Sequence, residues 1–216
     1  VGVCIAGRVN PETGRSYKYF TSNPQSLAEI IESYIGHPVL IENDTRAKCY
    51  GEYTKGCTGD EKNIIYLNLG RGVAIGIIVD GKIYYGRSGF AGEFGHTPFF
   101  ENEIICDCGK KGCLETEVSG IAIENKMIAQ IQKGRNTILM EKYNHTGKIH
   151  ITDIISAARN DDNLSIELIE EAGEKIGKSI AFLINIFNPE QVIIGGYLAG
   201  AGDYLMLPLK SAVNKF

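Results

Sequence analysis

Short apolar runs alternate along the chain with segments of helical periodicity. Two of these runs, Ile64–Leu69 and Val73–Val79, follow one another across the short link Gly70-Arg71-Gly72. The range 164–187 repeats apolar residues every three or four positions, as an amphipathic helix does. An alternation of buried strands and amphipathic helices is typical of α/β proteins, and it predicts that fold class for this chain.

The N-terminal part of the chain contains two predicted helices. One covers residues 24–35, with Asn23 as its cap and Pro24 in its first turn. The other opens at Asn43-Asp44, directly after a short apolar run that we interpret as a buried strand.

A glycine-rich region with little periodicity, residues 86–114, precedes a predicted helix over 116–132. Long loops of this kind are usually functional or held by a metal ion. We place a domain boundary near residue 62. Residues 1–62 would then be the remainder of a small N-terminal domain, and residues 63–216 a larger C-terminal domain.

Both ends of the chain are abrupt. Val1 opens directly on a strand-like run, and Phe216 closes an amphipathic stretch. We therefore expect a fragment of a longer protein that lacks an N-terminal segment and the C-terminal end, with both domains truncated.

The composition excludes several classes of protein. The net charge is −4 and no basic stripe is present, so this polypeptide alone is a poor candidate for nucleic-acid binding. No apolar run reaches the roughly 18 residues of a membrane span, and no signal-peptide pattern opens the chain. Three of the six cysteines fall within eight residues, which favours metal binding over disulfides. We expect a cytoplasmic protein with no membrane partner.

Four residues have the identities of a zinc site, namely His96, Cys106, Cys108 and Cys113. Three thiolates and one imidazole suit tetrahedral zinc, and a closed four-ligand site is structural rather than catalytic. The alternative is three reduced cysteines in a turn and an unrelated histidine. Zinc would rigidify the loop 93–115, which lacks an apolar core of its own.

Several polar residues are candidates for ligand binding. Asp44 follows a buried strand, a position where α/β proteins build their sites, and it could take a proton from a hydroxyl that Asn43 helps to hold. Asn and Asp are also preferred helix caps, so a purely structural role is the alternative. Glu93 and His96 could converge on polyol hydroxyls, with Glu115 held nearby. For each glutamate the alternative is a solvated surface charge.

Four motifs occur in the order and spacing of the ROK family (repressors, open reading frames, kinases), which the chain resembles over nearly its whole length. These motifs are Glu42-Asn43-Asp44, Gly70-Arg71-Gly72, Ala91-Gly92-Glu93-Phe94-Gly95-His96 and Cys106-x-Cys108-Gly109-x-x-Gly112-Cys113-Leu114-Glu115. The resemblance implies an actin-like ATPase/hexokinase fold of the ribonuclease H-like type. It also implies two domains around a cleft that holds a sugar.

The resemblance further implies roles for individual residues. Asp44 matches the catalytic base of the family's kinases. The family's sugar-binding positions match Asn43, Asp44, Glu93, His96 and Glu115. The zinc ligands match His96, Cys106, Cys108 and Cys113, so His96 would join the metal and the sugar. The expected ligand is a hexose or amino-hexose, or its phosphate, and a homo-oligomer is expected.

The phosphate-binding loops of the family's kinases are altered or missing in this chain. Their Asp-x-Gly-x-Thr loop has no counterpart, and their Gly-Thr-Gly-x-Gly loop reads Gly70-Arg71-Gly72-Val73-Ala74. Arg71 could pair with a phosphate, but it is bulky where a backbone must approach closely. Gly195-Gly196 matches the adenosine-side loop of the family, with a plain strand-to-helix turn as the alternative.

Two functions fit these motifs. In the first, the chain is the sugar-sensing part of a transcriptional repressor of carbohydrate metabolism, which reaches DNA through a helix-turn-helix absent from this chain. In the second, it belongs to an ATP-dependent hexokinase or glucokinase that uses Mg²⁺, although the fragment itself is expected to be inactive. A zinc-stabilised binding domain with neither role is a third possibility. The altered phosphate loop favours the regulator.

Overall fold

The computed structural model describes residues 1–216, and its mixed α/β architecture confirms the predicted fold class. The strands are β1 (Gly2–Ile5), β2 (Val9–Asn10), β3 (Arg15–Ser16), β4 (Leu40–Asn43), β5 (Ile64–Leu69), β6 (Val73–Val79), β7 (Lys82–Ile83) and β8 (Gln191–Gly195). The α-helices are α1 (Leu27–Ile35), α2 (Asp44–Lys55), α3 (Glu115–Val118), α4 (Gly120–Gln132), α5 (Met140–Thr146), α6 (Ile151–Ala158), α7 (Asn163–Phe187) and α8 (Asp203–Lys215). Short 3-10 helices cover Phe94–His96 and Tyr197–Ala201.

The strands form three sheets. The largest has the order β7-β6-β5-β8, and its strands β6 and β7 are antiparallel. Strands β1 and β4 form a parallel pair, and β2 and β3 form an antiparallel pair. Every residue of β5 is buried, which explains why this strand is a nearly continuous apolar run in the sequence.

The chain divides into two compact units. Unit 1 comprises residues 1–66, 75–93 and 190–193, and unit 2 comprises the remaining ranges, 67–74, 94–189 and 194–216. These are units of backbone contact, and the expected domains 1–62 and 63–216 stay a prediction.

Helix α1 begins later than predicted. Its cap is Ser26, whose hydroxyl accepts a hydrogen bond from the Glu29 backbone N–H, while the Glu29 carboxylate accepts one from the Ser26 backbone N–H. This reciprocal capping box satisfies two backbone donors at the helix start. The predicted cap, Asn23, instead accepts from the Gln25 backbone N–H in the preceding turn. The predicted start at residue 24 was therefore wrong.

The single helix predicted over 116–132 is two helices. Ser119 has extended backbone angles (φ −70°, ψ 160°), and its hydroxyl accepts a hydrogen bond from the Ala122 backbone N–H at 3.1 Å. Ser119 therefore caps α4 and ends α3 after four residues. A helix this short is not stable by itself, so the position of α3 depends on tertiary contacts.

Helix α7 packs closely against α8 in unit 2. Two glycines make this approach possible. A Cβ added to Gly173 would lie 2.7 Å from the Leu205 carbonyl oxygen, and one added to Gly177 would lie 2.3 Å from the Leu209 carbonyl oxygen. Although α7 is the longest helix, no helix in the chain combines the length and the apolar character needed to span a membrane.

Candidate metal and sugar site

Four side chains of unit 2 form a cluster of possible metal ligands. His96 comes from the 3-10 helix, while Cys106, Cys108 and Cys113 come from the segment 97–113, which we call the cysteine loop. One donor atom from each residue lies within 4.8 Å of all the others. His96 Nδ1 is 3.4 Å from Cys106 Sγ, and Cys108 Sγ is 3.6 Å from Cys113 Sγ. The structure thus brings together the four residues that the motif singled out.

Two of the donor–donor distances match those around a tetrahedral zinc ion. Zinc–sulfur and zinc–nitrogen bonds of about 2.3 Å and 2.1 Å place two sulfurs roughly 3.8 Å apart, and a sulfur and a nitrogen roughly 3.6 Å apart. The two measured distances lie close to these values. Thiolates and imidazole are also ligands that zinc prefers. The cluster has the donor set to hold zinc, and these two donor pairs have the spacing that zinc would require.

Burial and mutual proximity change the pKa values of the clustered thiols. Burial and the neighbouring sulfurs raise the pKa of the Cys113 thiol to about 12, and burial also raises the pKa of Cys106. At Cys108 burial acts in the same direction, but hydrogen bonds from the Lys110 backbone and the other thiols outweigh it and lower the pKa. Without a metal ion the Cys106 and Cys113 thiols therefore favour their neutral form, and a metal ion that binds them as thiolates would displace their protons.

The cysteine loop is shaped by close backbone contacts. Gly112 has φ +72°, and a Cβ there would lie 2.0 Å from the Phe100 carbonyl oxygen, so glycine is required where the loop crosses itself. The Cys106 backbone N–H donates to the Lys110 carbonyl at 2.8 Å. The Lys110 ammonium in turn donates to the His96 carbonyl at 2.9 Å, which ties the loop to the 3-10 helix.

Glu115 borders the metal cluster and is anchored to the loop before β6. Its Oε2 accepts a hydrogen bond from the Val73 backbone N–H at 2.9 Å, and its Oε1 lies 3.9 Å from His96 Nδ1. Gly72 makes room for the carboxylate, because a Cβ at that position would lie 2.4 Å from Oε2. The Glu115 side chain is 23% exposed, so a ligand can still reach it.

In unit 1, Asn43 serves as a helix cap and Asp44 remains accessible. Asn43 Oδ1 accepts hydrogen bonds from the Thr45 and Arg46 backbone N–H groups, both at 3.0 Å, and Nδ2 donates to the Gly7 carbonyl at 3.0 Å. Both lone pairs of Oδ1 are thus used, and the second Nδ2–H is the group with which Asn43 could donate a hydrogen bond to a ligand. The Asp44 side chain is 33% exposed, with Oδ2 3.8 Å from Lys48 Nζ.

Glu93, also in unit 1, is held by an arginine. Arg8 Nε donates to Glu93 Oε2 at 3.2 Å, and the Arg8 guanidinium lies 5.7 Å above the Phe90 ring. The Glu93 side chain is 29% exposed. Asn43, Asp44 and Glu93 therefore belong to unit 1, while His96 and Glu115 belong to unit 2. Their convergence on one sugar stays a prediction.

The glycines predicted to bind phosphate or nucleotide have structural roles as well. The Gly70 carbonyl accepts a hydrogen bond from the Gly120 backbone N–H at 2.9 Å, at the start of α4. Gly196 follows Gly195 at the end of β8 with φ +87°, and a Cβ on Gly196 would lie 2.4 Å from the Leu69 carbonyl oxygen. Close packing therefore requires Gly196 independently of any nucleotide. The Arg71 side chain is exposed.

Sequence reasoning missed Arg46, a buried arginine that positions α2. Its Nε donates to Glu42 Oε1 at 2.8 Å, and its two terminal nitrogens donate to the carbonyls of Gly89 and Val9 at 2.8 and 3.0 Å. Glu42 Oε2 also accepts from the Tyr85 hydroxyl at 3.0 Å. These bonds fix the helix that begins with Asp44. The four-residue spacing of Glu42 and Arg46 would indicate an ion pair within one helix. Glu42 lies on a strand, so the spacing is only a weak signal for this contact.

The fold and the cluster together define an α/β protein with a candidate structural metal site. A sequence model described as "ROK family" matches residues 1–216. A glucokinase from Halalkalibacterium halodurans is 33% identical over 213 residues, which cover 97% of this chain and 64% of that protein. A xylose repressor from Caldicellulosiruptor bescii is 33% identical over 220 residues, which cover 100% of this chain and 54% of that protein.

Solved structures similar to this chain also include both a regulator and a kinase. A ROK family transcriptional regulator, described as a homolog of the E. coli MLC protein, aligns with a TM-score of 0.85 and 32% identity, covering 99% of this chain and 54% of the regulator. A ROK family glucokinase from Streptomyces griseus, solved with glucose and AMPPNP, aligns with a TM-score of 0.84 and 28% identity, covering 97% of this chain and 69% of the glucokinase.

The chain belongs to the ROK family and has the actin-like hexokinase fold of its structural neighbours. The predicted family and fold are thus confirmed. The chain spans 64% and 54% of the lengths of the glucokinase and the xylose repressor that it matches. Those relatives include both enzymes and repressors, so family membership by itself does not separate the two functions.

Proposed function

We propose that the chain is the sugar-binding, effector-sensing part of a ROK-family transcriptional repressor. In this proposal His96, Cys106, Cys108 and Cys113 hold a structural zinc ion. When bound, that ion supplies a rigid cross-link between the cysteine loop and the 3-10 helix. DNA contact would come from a helix-turn-helix outside these 216 residues.

One hydrogen bond is the observation that favours a sensor over a kinase. A phosphate-binding loop works through backbone N–H groups that point at the phosphate oxygens. Here the Val73 N–H, directly after Gly72, donates to the Glu115 carboxylate at 2.9 Å. A phosphate at this N–H would have to displace a carboxylate of like charge. The observed arrangement instead supports a loop that anchors Glu115, which can then accept hydrogen bonds from sugar hydroxyls.

The carboxylates suit recognition of a neutral polyol. Exposed parts of Asp44, Glu93 and Glu115 offer acceptor oxygens to hydroxyl donors, and hydrogen bonds to charged acceptors are stronger than those between neutral groups. The Nδ2–H that remains on Asn43 and the imidazole of His96 add donors. We propose that a hexose, an amino-hexose or a phosphate of either is bound through these five residues. Binding would then shift the equilibrium between arrangements with high and low affinity for DNA.

The proposal predicts reciprocal coupling between sugar and DNA. The full-length protein would first be used to select its binding sequence from a random DNA library. Its affinity for glucose, N-acetylglucosamine and their 6-phosphates would then be measured by calorimetry with and without that DNA. The affinity for the effector sugar should change by about 5- to 150-fold, since linkage is thermodynamically reciprocal. Equal affinities with and without DNA, or no selected DNA, would exclude a sugar-responsive repressor.

A kinase is the second candidate, and the position of Asp44 favours it. The residue opens α2 directly after β4, and its partly exposed carboxylate could accept the proton of a sugar hydroxyl. ATP and Mg²⁺ would be required, because phosphoryl transfer depends on charge stabilisation around the phosphates. A coupled ADP-release assay on the full-length protein checks this, with Asp44→Asn as the inactive control. We expect no sugar-dependent turnover; turnover that Asp44→Asn abolishes would establish the kinase instead.

A further inference from the structure

Glu117 is a buried carboxylate that the proposed metal and sugar site does not use. It lies on α3, two residues after Glu115 and four after Cys113, and its side chain is 11% exposed. A buried charge is costly unless other groups pair with it. The partners of Glu117 therefore show what the residue holds in place.

Both carboxylate oxygens of Glu117 are engaged. Oε2 accepts hydrogen bonds from Lys175 Nζ at 2.6 Å and from Lys126 Nζ at 3.0 Å. Oε1 accepts from Asn102 Nδ2 at 2.6 Å. Burial alone would raise the pKa of Glu117, but the hydrogen bonds from the two lysines outweigh it and lower the pKa. The carboxylate is thus ionised and bound to three other segments of unit 2.

The lysines fix α3 to two longer helices. Lys126 lies on α4 and also donates to the Glu117 carbonyl at 3.1 Å, while Lys175 lies on α7. Both lysines share a second carboxylate, Glu171, at 3.0 and 2.6 Å. Because α3 has four residues and no side-chain cap, contacts of this kind must hold it in place.

Asn102 connects the same carboxylate to the cysteine loop. It precedes Cys106 by four residues, and its Oδ1 accepts from the Ile104 backbone N–H at 3.1 Å. The neighbouring Ile104 and Ile105 are 46% and 69% exposed, so apolar burial does not anchor the short stretch between Asn102 and Cys106. The Asn102–Glu117 hydrogen bond is therefore a tether between the loop that carries the cysteines and the helices of unit 2.

We propose that Glu117 is a positioning residue for the metal site, which holds the cysteine loop against α3, α4 and α7 through Asn102, Lys126 and Lys175 and thereby slows metal release. This inference rests on the metal site proposed above. It assigns Glu117 no contact with the metal. The residue acts on the loop that carries three of the ligands. In other metal proteins, loss of a group that hydrogen-bonds a ligand directly typically costs 10- to 100-fold in metal affinity, and we expect an effect at the lower end of that range here.

The rate of zinc release tests the proposal. The zinc-loaded full-length protein would be mixed with an excess of a chromophoric chelator, and the first-order release rate measured together with the thermal unfolding midpoint. Glu117→Gln and Asn102→Ala are expected to release zinc about 10-fold faster than the unmodified protein. Glu171→Gln is the matched control, because it removes the other carboxylate from the same lysines without touching Asn102. It should release zinc within about twofold of the unmodified rate.

The variants separate a positioning role from a purely structural one. A structural role would lower the unfolding midpoints of Glu117→Gln and Glu171→Gln alike and leave Asn102→Ala at the unmodified release rate, which would overturn the inference. If Glu117→Gln does not fold, Asn102→Ala alone decides. Absence of zinc from the unmodified protein would overturn both the metal site and this inference. A failure of sugar–DNA coupling, by contrast, leaves the release rates unchanged and concerns only the regulatory proposal.

Discussion

Replacing Cys113 by serine is expected to abolish stoichiometric zinc binding and to lower the melting temperature of the protein by about 10 °C. Cys113 is 0% exposed and offers one of the three sulfurs in the cluster. A serine hydroxyl does not replace a thiolate as a zinc ligand. The free energy of metal binding would then no longer stabilise the folded cysteine loop. A loss of about 3 to 5 kcal/mol corresponds to a shift of this size in a chain of roughly 200 residues.

The measurement is metal content by mass spectrometry, together with calorimetric unfolding of the same samples. The matched control is Cys57→Ser, since Cys57 is exposed and lies outside the cluster. This control should keep one zinc ion per chain and melt within about 1 °C of the unmodified protein. Dialysis of the unmodified protein against a chelator should reproduce the Cys113→Ser melting temperature, and added zinc should restore the original one. Equal zinc content in the two serine variants would refute the metal site.

The elements that sequence could predict are those whose signal is local. Strands β5 and β6 have the predicted bounds because each is an apolar run that ends at glycine or at a turn. The cysteine loop was visible for a similar reason, because three cysteines within eight residues seldom occur without a common partner. The errors at Asn23 and at residue 119 arose where the local signal was ambiguous. Several Ser and Asn residues are equally good caps, and tertiary packing selects among them.

The residues that sequence could not predict owe their roles to distant partners. Lys175 stands 58 positions from Glu117, and Asn102 stands 15 positions before it, so both partners lie far outside the few residues over which a local sequence pattern is read. Arg46 reaches a carbonyl 43 positions away at Gly89. A charged residue in isolation is predicted to be exposed, because burial is costly without a partner. Folding supplies the partners that make the burial of Arg46 and Glu117 possible, and no local pattern in the sequence marks those partners.

Gly72→Ala is expected to weaken sugar binding by about 10- to 100-fold while leaving the fold intact. A hydrogen bond to a charged group contributes about 1.5–3 kcal/mol, and its loss lowers affinity by roughly this factor. A Cβ on Gly72 would lie 2.4 Å from Glu115 Oε2. The carboxylate is the end of a flexible side chain, so it would move away and give up its bond from the Val73 N–H at 2.9 Å. A sugar would then meet a displaced acceptor, although no sugar ligand has been replaced.

The same loop provides the control for this prediction. At Gly70 the nearest atom to an added Cβ is Asn68 Oδ1, 4.0 Å away, and neither Gly70 nor Gly72 has a positive φ. Gly70→Ala therefore adds the same methyl group two residues away without touching Glu115, and it should bind sugar as the unmodified protein does. Calorimetric titration of both variants with glucose and N-acetylglucosamine gives the comparison, and Glu115→Ala shows the full effect of losing the carboxylate. If Gly72→Ala and Gly70→Ala bound sugar equally well while Glu115→Ala did not, Glu115 would bind sugar without being positioned by the Val73 N–H. If all three bound sugar normally, Glu115 would have no part in the sugar site.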